Sequence, residues 1–272
     1  MKRFLTIGIA LAMTMTMLTA CGSKKAEDQT VSPALTDGVL TVGTNAEFPP
    51  FEYVDDNGEV DGFDMAFVKA IGEKLGVEVK IENMEFASLV SSIGSKIDIS
   101  AAGMTVTEER EKTVDFSDAY YEAVQYVILP VDSDIATADD LKDKTIGVQL
   151  GTTGDIMAED FTTNVAQYNK AVDAVNDLVN GRVDCVIIDK NPALVFESKF
   201  EGQVVVVDGA QFDFEVENYA IALPKGDTVL ADQINAAIAE IKADGTFDEL
   251  VKTYIEAEEN AVRLRKSLCR NG

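Results

Sequence analysis

Arg110 and Asp189 are the residues of this chain whose type and setting suit the capture of a charged small molecule. Arg110 lies in the segment Gly103 to Tyr121, GMTVTEEREKTVDFSDAYY, among turn-forming and strand-forming residues rather than in a polar tail. A guanidinium holds a carboxylate by two parallel hydrogen bonds, so an arginine fixed beside a cleft points to an organic acid. Asp189 follows the apolar run VDCVII and precedes KNPALVF, where a parallel sheet delivers loop residues to a cleft. An aspartate with a proline three residues later also reads as a helix N-cap, and the two roles are compatible. The chain has no histidine, which excludes Ser-His-Asp and Cys-His catalysis and histidine-ligated metal sites. The glycines of GVQLGTTGD, residues 147 to 155, fit neither nucleotide-loop spacing, and no cofactor or metal is expected.

These residues need elements to position them, and the pattern alternates strand with helix. Val39 to Thr44 reads as a first strand, Phe63, Phe67, Ala70 and Ile71 as a helical stripe, and Val77, Val79 and Ile81 as an alternating strand. Phe86, Leu89, Val90 and Ile93 make a second helical face, followed by a strand over 97 to 102. A second series begins after Tyr121, with strands predicted near 125 to 130, 145 to 149, 183 to 188 and 203 to 207. Helices fall between them: Thr137 with Asp140 resembles a capping box, Gly181 follows another helix, and Pro192 suits the first turn of a third. Such alternation implies an α/β fold with mainly parallel sheets flanked by helices and sites at the carboxyl ends of strands.

The ends carry other signals. Lys2 and Arg3 precede an uncharged apolar run from Phe4 to Leu18, so residues 1–20 read as an export signal peptide. Leu18-Thr19-Ala20-Cys21 looks like a lipoprotein cleavage box, which would leave Cys21 lipidated, with palmitate among its acyl chains, and the protein anchored to the membrane. The expected location is extracytoplasmic, on the outer surface of a Gram-positive cell or in a periplasm. Residues 21–37 form a polar tether and 260–272 a basic tail. Removal of residues 1–20 takes two of the 23 basic groups, leaving 21 against 48 acidic residues and a side-chain net charge of −27, so nucleic acid is excluded as a partner. Cys185 reads as a buried strand residue and Cys269 lies in the basic tail, so no disulfide between them is expected.

The segment around Arg110, together with NAEFPPFEY, MEFASLV, GVQLGTTGD and the stretch around Asp189, resembles the amino-acid-binding receptors of bacterial ABC importers, extracellular solute-binding protein family 3. The resemblance implies a two-lobed periplasmic-binding-protein type II fold joined by two hinge strands. Lobe 1 would comprise 38–121 plus 219–259 and lobe 2 would comprise 122–218, with crossings near Tyr120 to Val124 and Glu215 to Tyr219. It also implies roles. Arg110 would take the ligand carboxylate and Asp189 its ammonium, with Ala102, Gly103 and Thr105 offering backbone groups and a hydroxyl beside them. Phe48 and Phe86 would stack on the ligand side chain, although Phe86 also belongs to an apolar stripe, and Phe51 reads as core. Gln149 and the amides around Thr152 and Thr153 would approach from the second lobe at a helix start. Asn45, Glu47, Phe48, Gln149 and Ile188 are where specificity should reside, and the amides at 45 and 149 favour a polar side chain. Glu47 would recruit a cation only if it points inward, whereas residues beside turns more often face solvent.

The expectation is therefore a monomeric binding protein rather than an enzyme, which closes on a polar L-amino acid and delivers it to an ABC permease. A rival reading is a two-lobed lyase resembling cyclohexadienyl dehydratase, for which Glu47 is the available acid. A ligand-sensing receptor domain is a third, and it requires a downstream membrane span and output domain.

Overall fold

The computed structural model describes residues 31–261. The export signal, Cys21, most of the tether, Cys269 and most of the basic tail lie outside the described residues. The chain enters through β1 (Val39–Thr44) and a small antiparallel sheet of β2 (Glu47–Phe48), β3 (Glu52–Val54) and β4 (Val60–Asp61). There follow α1 (Phe63–Leu75), β5 (Glu78–Asn83), the short α2 (Leu89–Ser92), β6 (Ile99–Ser100), the one-turn α3 (Glu108–Glu111) and β7 (Val114–Phe116). β8 (Tyr121–Pro130) then leads to β9 (Ile146–Gln149), α4 (Thr153–Glu159), β10 (Val165–Tyr168), α5 (Ala171–Val179), β11 (Cys185–Asp189), α6 (Lys190–Lys199) and β12 (Val204–Val207). β13 (Val216–Tyr219) returns the chain to β14 (Ala222–Pro224), α7 (Thr228–Ala243), α8 (Thr246–Leu250) and a π-helical turn, Val251–Glu256.

Two sheets result. The first lobe is built on the order β5-β1-β6-β14-β7 and the second on β10-β9-β11-β8-β12. β1, β5 and β6 pair in parallel, as do β9, β10 and β11, because a helix or helical turn separates each partner along the chain. Both sheets are nevertheless mixed. β8 is antiparallel to β11 and β12, and β14 is antiparallel to β6 and β7. These are the strands that cross between lobes or follow a crossing, so no βαβ unit fixes their direction. The first four residues of β8 pair with β13, Tyr121 opposite Tyr219 and Val124 opposite Val216, and these paired strands join the lobes.

Burial follows the periodicities of the sequence. Phe63, Phe67 and Ile71 turn one face of α1 inward, and Leu230, Ile234, Ile238 and Ile241 do the same for α7. Phe63 and Phe67 meet Phe247 edge-on at 5.6 and 5.5 Å between ring centroids, which locks α8 to α1. Each such side chain contributes roughly 1.5–3 kcal/mol on burial. Phe51 is wholly buried against Phe63, Tyr121 and Tyr219, the core role expected of it.

Two local expectations change. The face predicted from Phe86 to Ile93 is a 3₁₀ turn, Phe86–Ser88, followed by one turn of α2, because Ser91, Ser92 and Gly94 sit where a longer helix would need apolar or helix-favouring residues. The capping box of Thr137 and Asp140 is formed, but it opens only the 3₁₀ turn Ala138–Leu141.

Candidate functional site

The loops at the carboxyl ends of the strands face one another across the cleft and line a narrow cavity of about 10 Å³. Asn45, Phe48, Phe86, Ala102, Gly103, Thr105 and Arg110 contribute from the first lobe, and Gln149, Thr152 and Asp189 from the second. Thr153, named with them from the sequence, is not part of that wall. It is the first residue of α4, and its hydroxyl turns toward the hinge strands.

Arg110 is aimed by its helix. Thr107 caps α3 by accepting the Arg110 backbone N–H at 3.2 Å, which starts the turn that projects the side chain inward. The guanidinium donates Nη1 to Thr105 O at 2.6 Å and Nη2 to Gly151 O at 3.0 Å, the second bond crossing to the other lobe. Its Cζ also lies 5.4 Å from the Phe86 ring centroid, so Phe86 packs on the cation as well as facing the cavity. Burial pulls the Arg110 pKa down while Glu217 and Asp189 oppose that, and arginine remains a cation throughout. Of its five donors, those not spent on these carbonyls remain for a carboxylate.

Gly103 has φ 53°, and a Cβ there would come within 3.0 Å of the Phe48 ring. Glycine is thus required both by the left-handed backbone and by the aromatic beneath it. Its N–H is held at 2.8 Å by Asp64 Oδ2, which also accepts the Tyr120 hydroxyl at 2.7 Å. Burial pushes Asp64 up to about 6, and burial followed by the charge of Asp64 pushes Glu52 well above the carboxylate range. The pair lies wholly buried behind the binding loop.

Asp189 occupies the N-cap position of α6, yet its side chain makes no cap hydrogen bond. Oδ1 instead accepts the Tyr219 hydroxyl at 2.5 Å. Burial, reinforced by the charge of Glu217, pushes this carboxyl up to about 7, against the opposing hydrogen bonds from Tyr219 and Gln125. A cationic group beside it would supply what a desolvated carboxylate lacks.

At the other end, Gln149 Nε2 donates to Asn45 Oδ1 at 2.8 Å and to Asn169 O at 3.2 Å, and Asn45 Nδ2 donates to Met84 O at 2.8 Å. Glu47 does not enter this space. It pairs with Lys170 at 2.5 Å and lines a separate, open groove with Pro49, Tyr53, Phe196 and Tyr254. This removes the acid nominated for a dehydratase from the cavity. Ile188 packs into the core.

Sequence reasoning missed Gln125, Glu217 and Tyr219, all on the hinge strands. Gln125 was detectable as a lone amide within the apolar strand YEAVQYVIL, and it is almost wholly buried. Glu217 and Tyr219 gave no such signal, because only the β8–β13 register places them beside residues far away in the chain.

Two α/β lobes joined by paired hinge strands, closing on a cavity with a cation on one wall and an acid on the other, define a type II periplasmic binding protein. The chain matches the bacterial extracellular solute-binding proteins, family 3, over residues 40–257, and it belongs to that family. It is 35% identical over 264 residues to the arginine-binding extracellular protein ArtP of Bacillus subtilis, covering 95% of this chain and 100% of that protein. Relatives of solved structure include an ancestral arginine-binding protein, bound to arginine and bound to glutamine. It is 40% identical with a TM-score of 0.75, and the match covers 80% of this chain and 98% of that one. Holo ArgBP from T. maritima is 42% identical with a TM-score of 0.71, over 77% of this chain and 92% of that one.

Proposed function

We propose that this chain is the ligand-capturing component of an amino-acid ABC importer, and that its cargo is an L-amino acid whose side chain ends in hydrogen-bond donors, arginine or glutamine. The observation that carries this is the cavity itself, where Arg110 and Asp189 come from opposite lobes to one enclosed space. A zwitterion answers both charges at once, and only with the cleft closed, so its binding favours closure. Closure in turn excludes water and strengthens both ion pairs. The side-chain preference follows from the amide pair. Both Nε2 protons of Gln149 are spent on Asn45 and Asn169, so its carbonyl oxygen is what it offers a ligand, and an acceptor suits a guanidinium or carboxamide. The arginine-bound and glutamine-bound relatives support the same choice.

In this reading lobe 1 is 38–121 plus 219–259 and lobe 2 is 122–218. Cys21 carries the lipid that holds the receptor at the outer face of the membrane, the receptor acts as a monomer, and the loaded form docks on a permease. The reaction is binding and release, with no bond broken.

A thermal-shift and calorimetric screen of the chain against the twenty L-amino acids tests this. The expected result is saturable stabilisation by L-arginine or L-glutamine, roughly 4 kcal/mol at a thousandfold excess over Kd, and none by L-leucine or L-glutamate. Stabilisation by L-glutamate in preference to both would overturn the side-chain assignment, and no response to any amino acid would overturn the receptor assignment. Mass spectrometry of the membrane fraction, with Cys21→Ala as control, tests the anchor.

A further inference from the structure

The hinge carries one acid that the cavity does not use. Glu217 stands in β13 opposite Ala123 of β8, half-buried, and it is not part of the cavity wall. Its Oε2 accepts the Thr105 hydroxyl at 2.6 Å and the Thr153 hydroxyl at 2.8 Å. Thr105 belongs to the binding loop of the first lobe, and Thr153 opens α4 in the second. One carboxylate oxygen therefore joins a hydroxyl from each lobe, and it does so from the strand pair about which the lobes must turn. Gln125, on the facing hinge strand, donates Nε2 to Thr153 Oγ1 at 3.2 Å, which leaves that hydroxyl's own proton for Glu217.

Hydrogen bonds to a carboxylate are stronger than those between neutral groups. Both bonds also direct the two hydroxyls toward Glu217, leaving Arg110 and the backbone amides to hold the ligand carboxylate. Any motion that separates the two threonines leaves the carboxylate only one of them. Glu217 is thereby sensitive to closure although it lies outside the cavity.

We propose that Glu217 is a closure latch, a positioning residue that clamps Thr105 and Thr153 together in the shut form and so sets how long an amino acid stays bound. This deepens the receptor reading and rests on it for the ligand. The same contacts act on the lobes whether or not the cavity is filled, which gives a second, ligand-independent readout.

The test compares wild type with Glu217→Ala, Glu217→Gln, Thr153→Val and the double variant Glu217→Ala/Thr153→Val. Stopped-flow binding of L-arginine and of L-glutamine gives association and dissociation rates, and small-angle X-ray scattering of the ligand-free chain gives its compactness. The expected result for Glu217→Ala is dissociation faster by about tenfold or more with association changed less than about threefold. The ligand-free melting temperature should be unchanged and the ligand-free envelope wider. Glu217→Gln should lie between, since its amide oxygen still accepts both hydroxyls. The double variant should be no worse than Glu217→Ala, because the two side chains make one contact. Unchanged dissociation with an unchanged envelope would overturn the latch, as would multiplicative effects in the double variant or a loss of affinity that merely tracks a lower melting temperature. If wild type binds neither probe, the receptor reading fails at that step, and the scattering comparison decides the latch by itself: a wider Glu217→Ala envelope supports it and an identical one overturns it.

Discussion

Asp189 and the Glu52–Asp64 pair are both buried acids within reach of the cleft, and burial raises the pKa of each, yet they are satisfied in opposite ways. Asp64 accepts a backbone N–H and a tyrosine hydroxyl from its own lobe and abuts Glu52, so its partners are built into the fold. Asp189 takes a hydroxyl from Tyr219, with Gln125 beside it, and lines the cavity. Burial of a carboxyl therefore does not identify a binding residue. What separates the two is the direction in which unmet hydrogen-bonding capacity points: into packed protein for Asp64, into the cleft for Asp189.

The largest effects should come from separating these roles by truncation. Asp64→Ala leaves the Gly103 N–H and the Tyr120 hydroxyl buried without their acceptor, and each costs about 1–3 kcal/mol, so urea midpoints should fall steeply. Asp189→Ala removes the acceptor of one buried donor, the Tyr219 hydroxyl, so its urea midpoint should fall less than that of Asp64→Ala, while ligand binding weakens by at least about tenfold, the loss of a charged contact. Arg110→Ala should behave as Asp189→Ala does. If calorimetry found full affinity in either cleft variant, the assignment of the two poles would be wrong, and if Asp64→Ala proved as stable as wild type, the buried pair would not anchor the loop.

The next effect is on ligand affinity and pH. Burial raises the Asp189 carboxyl to about 7, and a ligand ammonium beside it favours the ionised form. Binding therefore releases a proton whenever Asp189 starts protonated. Affinity should be full above about pH 7 and fall as pH drops below it, by up to roughly tenfold per pH unit. In Asp189→Asn, weaker throughout, that slope should vanish. Calorimetry in buffers of different ionisation heat measures the proton directly, and no proton release at pH 6 would contradict the account.

The poles were legible in the sequence because their chemistry is local. Asp189 ends a recognisable apolar strand and Arg110 lies in the single helical turn after another, and the alternation of Val77, Val79 and Ile81 or the stripe of Phe63, Phe67 and Ile71 needs no partner to be read. The hinge network was not legible. Glu217 and Tyr219 acquire their roles from the pairing of β13 with β8, and Gln125 from the pairing of β8 with β11 that sets it opposite Asp189, and a single sequence carries no trace of either register. The mixed direction of both sheets was hidden for the same reason, since βα alternation predicts parallel neighbours and says nothing about strands that cross between lobes. Glu47 shows the converse. Its composition suited a catalytic or cation-binding acid, and only the position of Lys170 on the other lobe turns it outward.

A smaller effect concerns stability. Asp64 has a folded-state pKa of about 6, above its ordinary value of 3.8, so the folded chain holds this proton more tightly than the unfolded one. The stability linked to it is complete below the unfolded value and is lost as pH rises through about 6, by an amount on the order of 3 kcal/mol for a shift of this size. Asp64→Asn keeps an oxygen for Gly103 and Tyr120 but cannot ionise. Its unfolding free energy should therefore fall less than that of wild type between pH 4 and pH 7, and parallel curves from urea titrations would show that Asp64 is not the group responsible.

The smallest effect should be at the outer groove, and it completes the contrast between a buried charge and an exposed one. Glu47 and Lys170 bridge the lobes as Arg110 and Gly151 do, but the lysine side chain is 48% exposed, so the pair is solvated and screened in a way the guanidinium is not. Exposed pairs contribute about 0–1 kcal/mol, and closure shares that among many contacts. Lys170→Ala and Glu47→Gln should each change amino-acid affinity by less than about threefold, with the difference from wild type disappearing at high salt. A larger, salt-independent loss in Glu47→Gln would mean that Glu47 reaches the ligand after all, and the distinction between the enclosed cavity and the groove outside it would have to be redrawn.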